Sequence, residues 1–263
     1  MTAPGDPRAA RRADGVLLID KPAGITSHDV VAAVRRSLAG ARTGHAGTLD
    51  PFATGLLLVL VGRATKAQQA LMELRKRYQT VARLGALSST GDTEGEITLT
   101  GRFPPDPPPL PTGELRQRPP RHSAVKIGGE RASKRARRGE SFAMPERIVT
   151  VHSFTQLWRE QPAAAPGAGA AEAIVRAGYA IECGSGTYVR SLIADLHDAY
   201  CLELRRTAIG PFEVAEATAL PPRGEPWLEP PLIELEQALE RVRQAPPPCP
   251  RAAGQHAAGT AQQ

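Results

Sequence analysis

The chain has 263 residues, 41% of them hydrophobic and 4% aromatic, with 33 Lys/Arg against 27 Asp/Glu and a formal net charge of +6. That length admits one or two domains with a sizeable core. The sequence has no run of about 18 apolar residues to cross a membrane and no apolar signal-peptide core. The three cysteines, Cys183, Cys201 and Cys249, form neither a CxxC nor a metal spacing, which speaks against a zinc site and a disulfide framework and for a cytoplasmic protein.

Residues 1–14 read as a flexible basic arm. Val16-Leu17-Leu18-Ile19 is a short buried strand, and Asp20-Lys21-Pro22-Ala23-Gly24 turns the chain. A helix follows, capped by Thr26 or Ser27, with Val30, Val31, Val34 and Leu38 on one face and Gly40 as its stop. Then comes Gly44-His45-Ala46-Gly47-Thr48-Leu49-Asp50-Pro51. Glycine lets backbone approach a ligand closely, and an acid on such a loop is presented outward as a nucleophile or general base. Taken alone, Asp-Pro reads as a turn or a helix start, with Asp50 as N-cap and Pro51 at the first helical position. The apolar run Leu56 to Val61 suits either a buried strand or a buried helix segment, and Thr65 to Arg77 reads as a helix with Ala67, Ala70, Leu71 and Leu74 inward.

Tyr78 to Ala86 alternates as a strand, with Tyr78, Thr80, Ala82, Leu84 and Ala86 on one side, and Ser88 to Gly95 is a polar, turn-rich loop before Ile97-Thr98-Leu99. Residues 103–111 hold six prolines and read as a linker. The positive excess comes next. Between Leu115 and Gly139 nine Lys/Arg face one acid, Glu130, so this segment is +8 and the rest of the chain is −2. On a helix Arg131, Lys134, Arg135 and Arg138 make a continuous stripe with Ala132 and Ala136 off it and Gly139 as a stop. Unpaired like charges at that spacing cost stability, so the stripe suggests a polyanionic partner.

Ile148 to Trp158 alternates as a strand, 160–171 is an Ala/Gly/Pro-rich connection, and Ala173 to Cys183 is a further strand. Gly184-Ser185-Gly186 leads into a helix with a core face of Val189, Leu192, Ile193, Leu196 and Tyr200. Thr187, Tyr188 and Arg190 sit at its first turn. The macrodipole disfavours a cation there, so Arg190 calls for an acidic partner. Leu204 to Phe212 reads as an edge strand, Leu232 to Val242 as a last amphipathic helix, and residues 244–263 as a disordered tail. Strands and helices mix without regular βαβ alternation, which predicts an α+β fold with a mostly antiparallel or mixed sheet.

Five blocks carry a resemblance: Gly15 to Gly24 (GVLLIDKPAG), Gly44 to Pro51 (GHAGTLDP), Lys76-Arg77-Tyr78, Pro119 to Lys126 (PPRHSAVK) and Gly184 to Arg190 (GSGTYVR). In order and approximate spacing, across roughly residues 15–215, they resemble the TruB family of tRNA pseudouridine synthases. The resemblance implies a pseudouridine synthase fold over 15–243, with a central mixed or antiparallel sheet, flanking helices and an inserted basic thumb at about 116–146. It implies isomerisation of the tRNA T-loop uridine conventionally numbered 55, without metal or cofactor: the bond from uracil N1 to ribose C1′ breaks, the base turns, and C5 joins C1′. Asp50 matches the essential aspartate, an ionised carboxylate able to attack carbon. Arg190 matches the arginine that pairs with it, and a bidentate guanidinium can aim a carboxylate. Tyr78 matches the tyrosine that stacks on the target uracil and is a candidate proton acceptor, and Tyr188 matches a second active-site tyrosine.

His45 matches the histidine that stacks in the T loop. Lys21 and Pro22 match a motif that supports the catalytic loop, and Lys21 is also grouped with the RNA-binding cations Lys126, Arg131, Lys134, Arg135 and Arg138. The implied partner is the T-stem-loop of tRNA, with no membrane, no required protein partner, and a monomeric enzyme. Two other functions remain open: a tRNA-folding chaperone acting through T-loop binding, and the catalytic subunit of a guide-RNA particle. The sequence also departs from the family. Ser133 stands where many relatives carry an aromatic residue, His122 stands where tyrosine or phenylalanine is common, and prolines 104–111 replace an expected helix. The sequence reads as a short form without a C-terminal RNA-binding PUA domain. These departures bear on T-loop affinity more than on chemistry.

Overall fold

A strand that is apolar at every position needs cover on both faces. The run Leu56 to Val61 has it. In the computed structural model, which describes residues 14–38, 40–160, 174–220, 227 and 230–245, this run is strand β3. The chain begins with β1 (Gly15–Lys21), α1 (Ser27–Ser37), β2 (Thr43–Ala46), β3 (Thr54–Val61), α2 (Gln68–Glu73) and β4 (Lys76–Leu84). Then come β5 (Ala86–Ser88), β6 (Ile97–Leu99), β7 (Gly113–Gln117), β8 (Lys126–Ile127), β9 (Glu130–Arg131) and α3 (Ala132–Arg137). The last elements are β10 (Arg147–Arg159), β11 (Val175–Cys183), α4 (Val189–Ala194), β12 (Ala199–Ile209), β13 (Phe212–Glu213) and α5 (Leu235–Gln244).

The main sheet runs β1-β3-β12-β4-β11-β10-β7, with β2 added to β3 and β13 to β12. Among the strands of the described residues, β3 and β12 alone pair in parallel, so the sheet is mixed and the fold is α+β, with helices flanking the sheet. On one face of β3, Leu57, Val59 and Val61 pack with Leu17, Ile19, Val30, Val34 and Leu38; on the other, Leu56, Leu58 and Leu60 pack with Val16, Leu18, Leu71 and Ala238. Helices α1 on one side and α2 and α5 on the other supply that cover. Each such side chain stabilises by about 1.5–3 kcal/mol, so truncating Leu58 to alanine costs about 2–5 kcal/mol once the cavity is counted. A capping box starts α1: the Thr26 hydroxyl accepts from Asp29 N at 3.1 Å, and the Asp29 carboxylate accepts from Thr26 N at 2.8 Å.

Several boundaries differ from the sequence reading. The helix expected over Thr65 to Arg77 is a 3₁₀ turn, Gly62–Ala67, followed by the short α2, and Lys76 and Arg77 already belong to β4. The helix expected to reach Tyr200 ends at Ala194. His197 and Asp198 then take left-handed φ of 62° and 48°, and Tyr200 is buried in β12. The strand read as an edge, Leu204 to Phe212, is the central β12, between β3 and β4. Its alternation is inward at Leu204, Arg206 and Ala208, and pairing with strands distant in sequence on both sides, which local pattern does not reveal, makes it central. The proline linker is docked on the sheet, where Arg159 donates to the carbonyls of Pro104 and Pro105 at 2.9 Å each. The basic arm (except Asp14), the connection over 160–171 (except Glu160) and the tail beyond residue 245 lie outside the described residues.

Candidate active site

The loop between β2 and β3 is fastened from three sides. Ser27 Oγ accepts from Leu49 N at 2.9 Å and donates to Leu49 O at 3.1 Å, acting as a surrogate backbone partner. Lys21 Nζ donates to the carbonyls of Pro22, Ile25 and Pro51 at 2.8, 2.8 and 3.2 Å. Arg206, from β12, donates to the carbonyls of Leu56, Thr48 and Gly47 at 2.8, 3.3 and 3.0 Å. Gly47 takes φ +95°, which favours glycine. Asp50 caps no helix, because β3 begins at Thr54; Ala53 N donates back to Asp50 O at 3.2 Å and closes a turn instead. Lys21 is corrected here. It is 0% exposed and its ammonium is engaged on three carbonyls, so it braces the loop and cannot touch RNA. Burial pulls its pKa down to about 8.

Asp50 meets Arg190 from the segment that opens α4. Arg190 Nε stands 2.9 Å from Asp50 Oδ2, an ionic contact without the alignment of a hydrogen bond. The aligned donors go elsewhere. Nη1 donates to Asp92 Oδ2 and to Thr90 O, and Nη2 donates to His122 O, each at 2.9 Å. The two-pronged grip on Asp50 expected from the sequence is therefore absent: Asp92 orients the guanidinium, and Asp50 shares only its charge. Asp50 keeps 31% of its side-chain surface open. Desolvation pushes its pKa up, opposed by the Arg190 charge and reinforced by Asp92. A carboxylate with a raised pKa is a stronger nucleophile than an ordinary surface aspartate, provided it remains ionised.

Tyr78 and Tyr188 line the same cavity as Asp50 and Arg190. Its volume is about 290 Å³, and Leu204, Lys76, Ser123, Arg147 and Arg206 also border it. That is near the lower end of the roughly 300–1,000 Å³ of small-molecule sites and suits one nucleoside. Tyr78 comes from β4, opposite Arg206 of β12. Burial raises the pKa of its phenol, with Arg206 opposing, so at neutral pH it offers a ring face and a neutral hydroxyl. Tyr188 is fixed through its backbone, which exchanges two hydrogen bonds with the Gln117 side chain, at 2.8 and 3.0 Å.

The expected RNA-binding residues lie apart from this cavity. His45 sits in β2 opposite Val59, its ring edge-on to His28 at 5.5 Å between centroids. Burial first, then the charges of His28 and Arg206, pull its pKa down to about 4, so it is a neutral ring at physiological pH. Lys126 is exposed on β8, and Arg131 is exposed at the N-cap of α3. The other members of the stripe are paired. Arg138 makes a bidentate contact with Glu130 at 2.6 and 2.7 Å and reaches Glu140 at 2.6 Å. Arg135 meets Glu140 at 2.7 Å and Lys134 meets Glu130 at 3.3 Å. The unpaired stripe expected from the sequence is corrected accordingly: two glutamates neutralise much of it, and one of them, Glu140, lies just past the segment over which the charge was counted.

Asp92, Ser123 and Arg206 are among the residues that escaped the sequence reading. Asp92 lay in a loop read only as polar and turn-rich, and nothing local marks its carboxylate as buried. Ser123 belonged to a recognised block, yet its hydroxyl was given no role; it is buried at the cavity without a partner among the described residues. Arg206 was legible in principle, because period-2 alternation with Leu204 and Ala208 puts it on the inward face.

Comparison with known proteins adds to this geometry. The sequence profile of the TruB family pseudouridylate synthase (N terminal domain) matches residues 35–189. The chain is 42% identical over 245 residues to tRNA pseudouridine synthase B of Thermobifida fusca, covering 88% of this chain and 81% of that one. It is 39% identical over 245 residues to the protein of that name from Corynebacterium glutamicum strain R, covering 86% and 77%. Among solved structures, a chain of a Cbf5-Nop10-Gar1 complex superposes with a TM-score of 0.58 at 27% identity, over 90% of this chain and 64%, less than two thirds, of that one.

Proposed function

Because this chain belongs to the TruB family of pseudouridylate synthases and isomerises uridine in tRNA to pseudouridine, we propose that its target is the T-loop uridine numbered 55 and that Asp50 is the nucleophile. The observation that carries this reading is a carboxylate open to a nucleoside-sized cavity, backed by a buried arginine and flanked by two tyrosines. A stacked base must leave its helix or loop to reach such a cavity. Tyr78 then supplies the stacking face for the uracil, and Tyr188 closes the opposite wall. Asp50 adds to the flipped nucleotide, the N1–C1′ bond breaks, C5 of the turned uracil joins C1′, the proton lost from C5 is matched by one gained at N1, and Asp50 leaves again as a carboxylate, so the net change is an isomerisation. Arg190 keeps the carboxylate ionised against the cost of its burial, and Asp92 keeps Arg190 in place. His45, neutral and outside the cavity, stacks within the T loop where the flipped nucleotides leave space. Lys126 and Arg131 contact phosphate, with the remaining thumb cations joining as their glutamates release them.

In this reading residues 15–243 form the catalytic unit, with the thumb at about 116–146, and the enzyme acts on tRNA as a monomer without a protein partner. The experiment uses purified protein and a T-stem-loop RNA, with pseudouridine located by chemical mapping. Conversion at position 55 by the wild type and none by Asp50→Asn, with binding retained, is the expected result. Normal turnover by Asp50→Asn would remove the aspartate from its role. Conversion at another uridine would move the target.

A further inference from the structure

Four cations border the cavity that holds Asp50: Lys76, Arg147, Arg190 and Arg206. Three have committed their donors to the protein. Lys76 Nζ donates to the carbonyls of Met72 and Leu74. Arg190 serves Asp92, Thr90 O and His122 O, with Asp50 at ionic distance. Arg206 serves the carbonyls of Leu56, Thr48 and Gly47. Arg147 differs. It opens β10, is partly exposed, and its guanidinium has as its one partner among the described residues the ring of Tyr188, with Cζ 5.7 Å from the centroid. Its chain neighbour Glu146 pairs with Arg118 at 2.9 Å, and Asp50, on the same cavity, pairs with Arg190. Arg147 Nη1 also lies 3.7 Å from the place a side chain on Gly186 would begin, so the absence of one there keeps the guanidinium uncovered.

We propose that Arg147 binds the backbone phosphate adjoining the flipped uridine, so that the nucleotide is held at both ends, by its base against Tyr78 and by its phosphate on Arg147. The inference rests on the reading of this cavity as a uridine site. A guanidinium presents a fork of donors that matches phosphate oxygens. A cation over an aromatic face is held in place while its N–H edges remain available to another acceptor. A nucleotide turned out of its loop brings its own phosphates to the mouth of the pocket, where a pre-positioned, unneutralised cation is the group that recognises them.

The test compares wild type, Arg147→Gln and Arg147→Lys on T-stem-loop RNA, with and without neutral methylphosphonates in place of the two phosphates flanking the target uridine. Thermal midpoints are measured alongside to show that the variants fold. Arg147→Gln removes the charge and keeps a flat group on Tyr188. It is expected to raise KM about tenfold with little change in kcat and to reduce the slope of log affinity against log salt by about 0.7–0.9, while Arg147→Lys restores most of both. Methylphosphonates are expected to cost the wild type a similar factor and the Gln variant nothing further. An unchanged salt slope, or losses from the variant and from the modified RNA that multiply, would overturn the proposal. If neither variant folds, methylphosphonates that cost the wild type nothing would overturn it alone. Wild-type protein that leaves unmodified T-loop RNA unconverted would instead remove the uridine reading, a separate result.

Discussion

Arg190 lies beneath the cavity, 3% exposed, with two carboxylates on it, Asp50 and Asp92; Arg138 lies on the outside of the basic segment, 44% exposed, with two carboxylates on it, Glu130 and Glu140. The ionic pattern is the same and the outcome is opposite. Under the cavity, loss of water outweighs the arginine's charge and the pKa of Asp50 rises. On the surface the hydrogen bonds from Arg138 dominate and the pKa of Glu130 falls to about 2. One arrangement leaves a carboxylate easier to protonate and open to the cavity, while the other holds its acids ionised and masks the charge of its cations. Solvent decides which, more than the count of charges.

The largest effect that would break this comparison is at Asp50. Asp50→Asn is expected to lower single-turnover conversion at least about 10⁴-fold without lowering the thermal midpoint. The sign follows from the raised pKa: the native state holds this proton more readily than the unfolded state, so ionising Asp50 as pH rises past 3.8 subtracts stability, and an amide removes that subtraction. By the same shift, the acid limb of kcat lies above 3.8. A midpoint lowered by several degrees would show that the Asp50 charge stabilises the fold after all.

Asp92→Asn comes next. With one carboxylate gone, buried Arg190 loses its aligned anionic partner. Stability is expected to fall by about 3 kcal/mol and kcat by about 10²-fold through misplacement, as read by urea unfolding and single-turnover kinetics. Loss of stability with kcat intact would make Asp92 structural only. Lys21→Met should cost about 2–3 kcal/mol by leaving three carbonyls without their donor. Because folding lowers the lysine pKa from 10.5 to about 8, the native state binds this proton less readily than the unfolded state. Wild-type stability therefore gains from this group as pH rises between those values, and the variant should lack that gain.

The smallest effect belongs to the surface. Arg138→Ala should weaken T-stem-loop binding less than about threefold, since its charge is already met. Glu130→Gln should strengthen binding and steepen its salt dependence, by filter binding across a salt series. A large loss from Arg138→Ala would mean the glutamates yield readily to RNA, and the two regions would differ less than the free protein suggests.

How far the sequence spoke depended on whether a residue's environment was set locally. The strand nature of β4 could be read from its alternation, and the start of α1 from Thr26 or Ser27 as its cap, because pattern and cap lie within a few residues. The loop holding Asp50 could be picked out by its glycines, and the tyrosines and Arg190 by resemblance to a family. The end of α4 could not be read, because Val189, Leu192, Ile193, Leu196 and Tyr200 fit a helix and only the turn at His197 and Asp198 breaks it. Asp92 stayed hidden for a related reason: its burial comes from contact with a residue 98 positions away. The basic stripe was visible as composition, but its neutralisation depends on where Glu130 and Glu140 fold back.

Lys21, Ser27 and Arg206 together leave the peptide groups around Asp50 little freedom to shift. Stiffness of that kind allocates labour between enzyme and substrate. A loop held from three sides has little freedom to close over a nucleotide, so in the proposed mechanism the bending that brings a nucleotide to the carboxylate falls to the RNA. On the T-loop reading proposed above, substrates whose T arm is loosened in advance should turn over faster than a fully folded tRNA under the same protein.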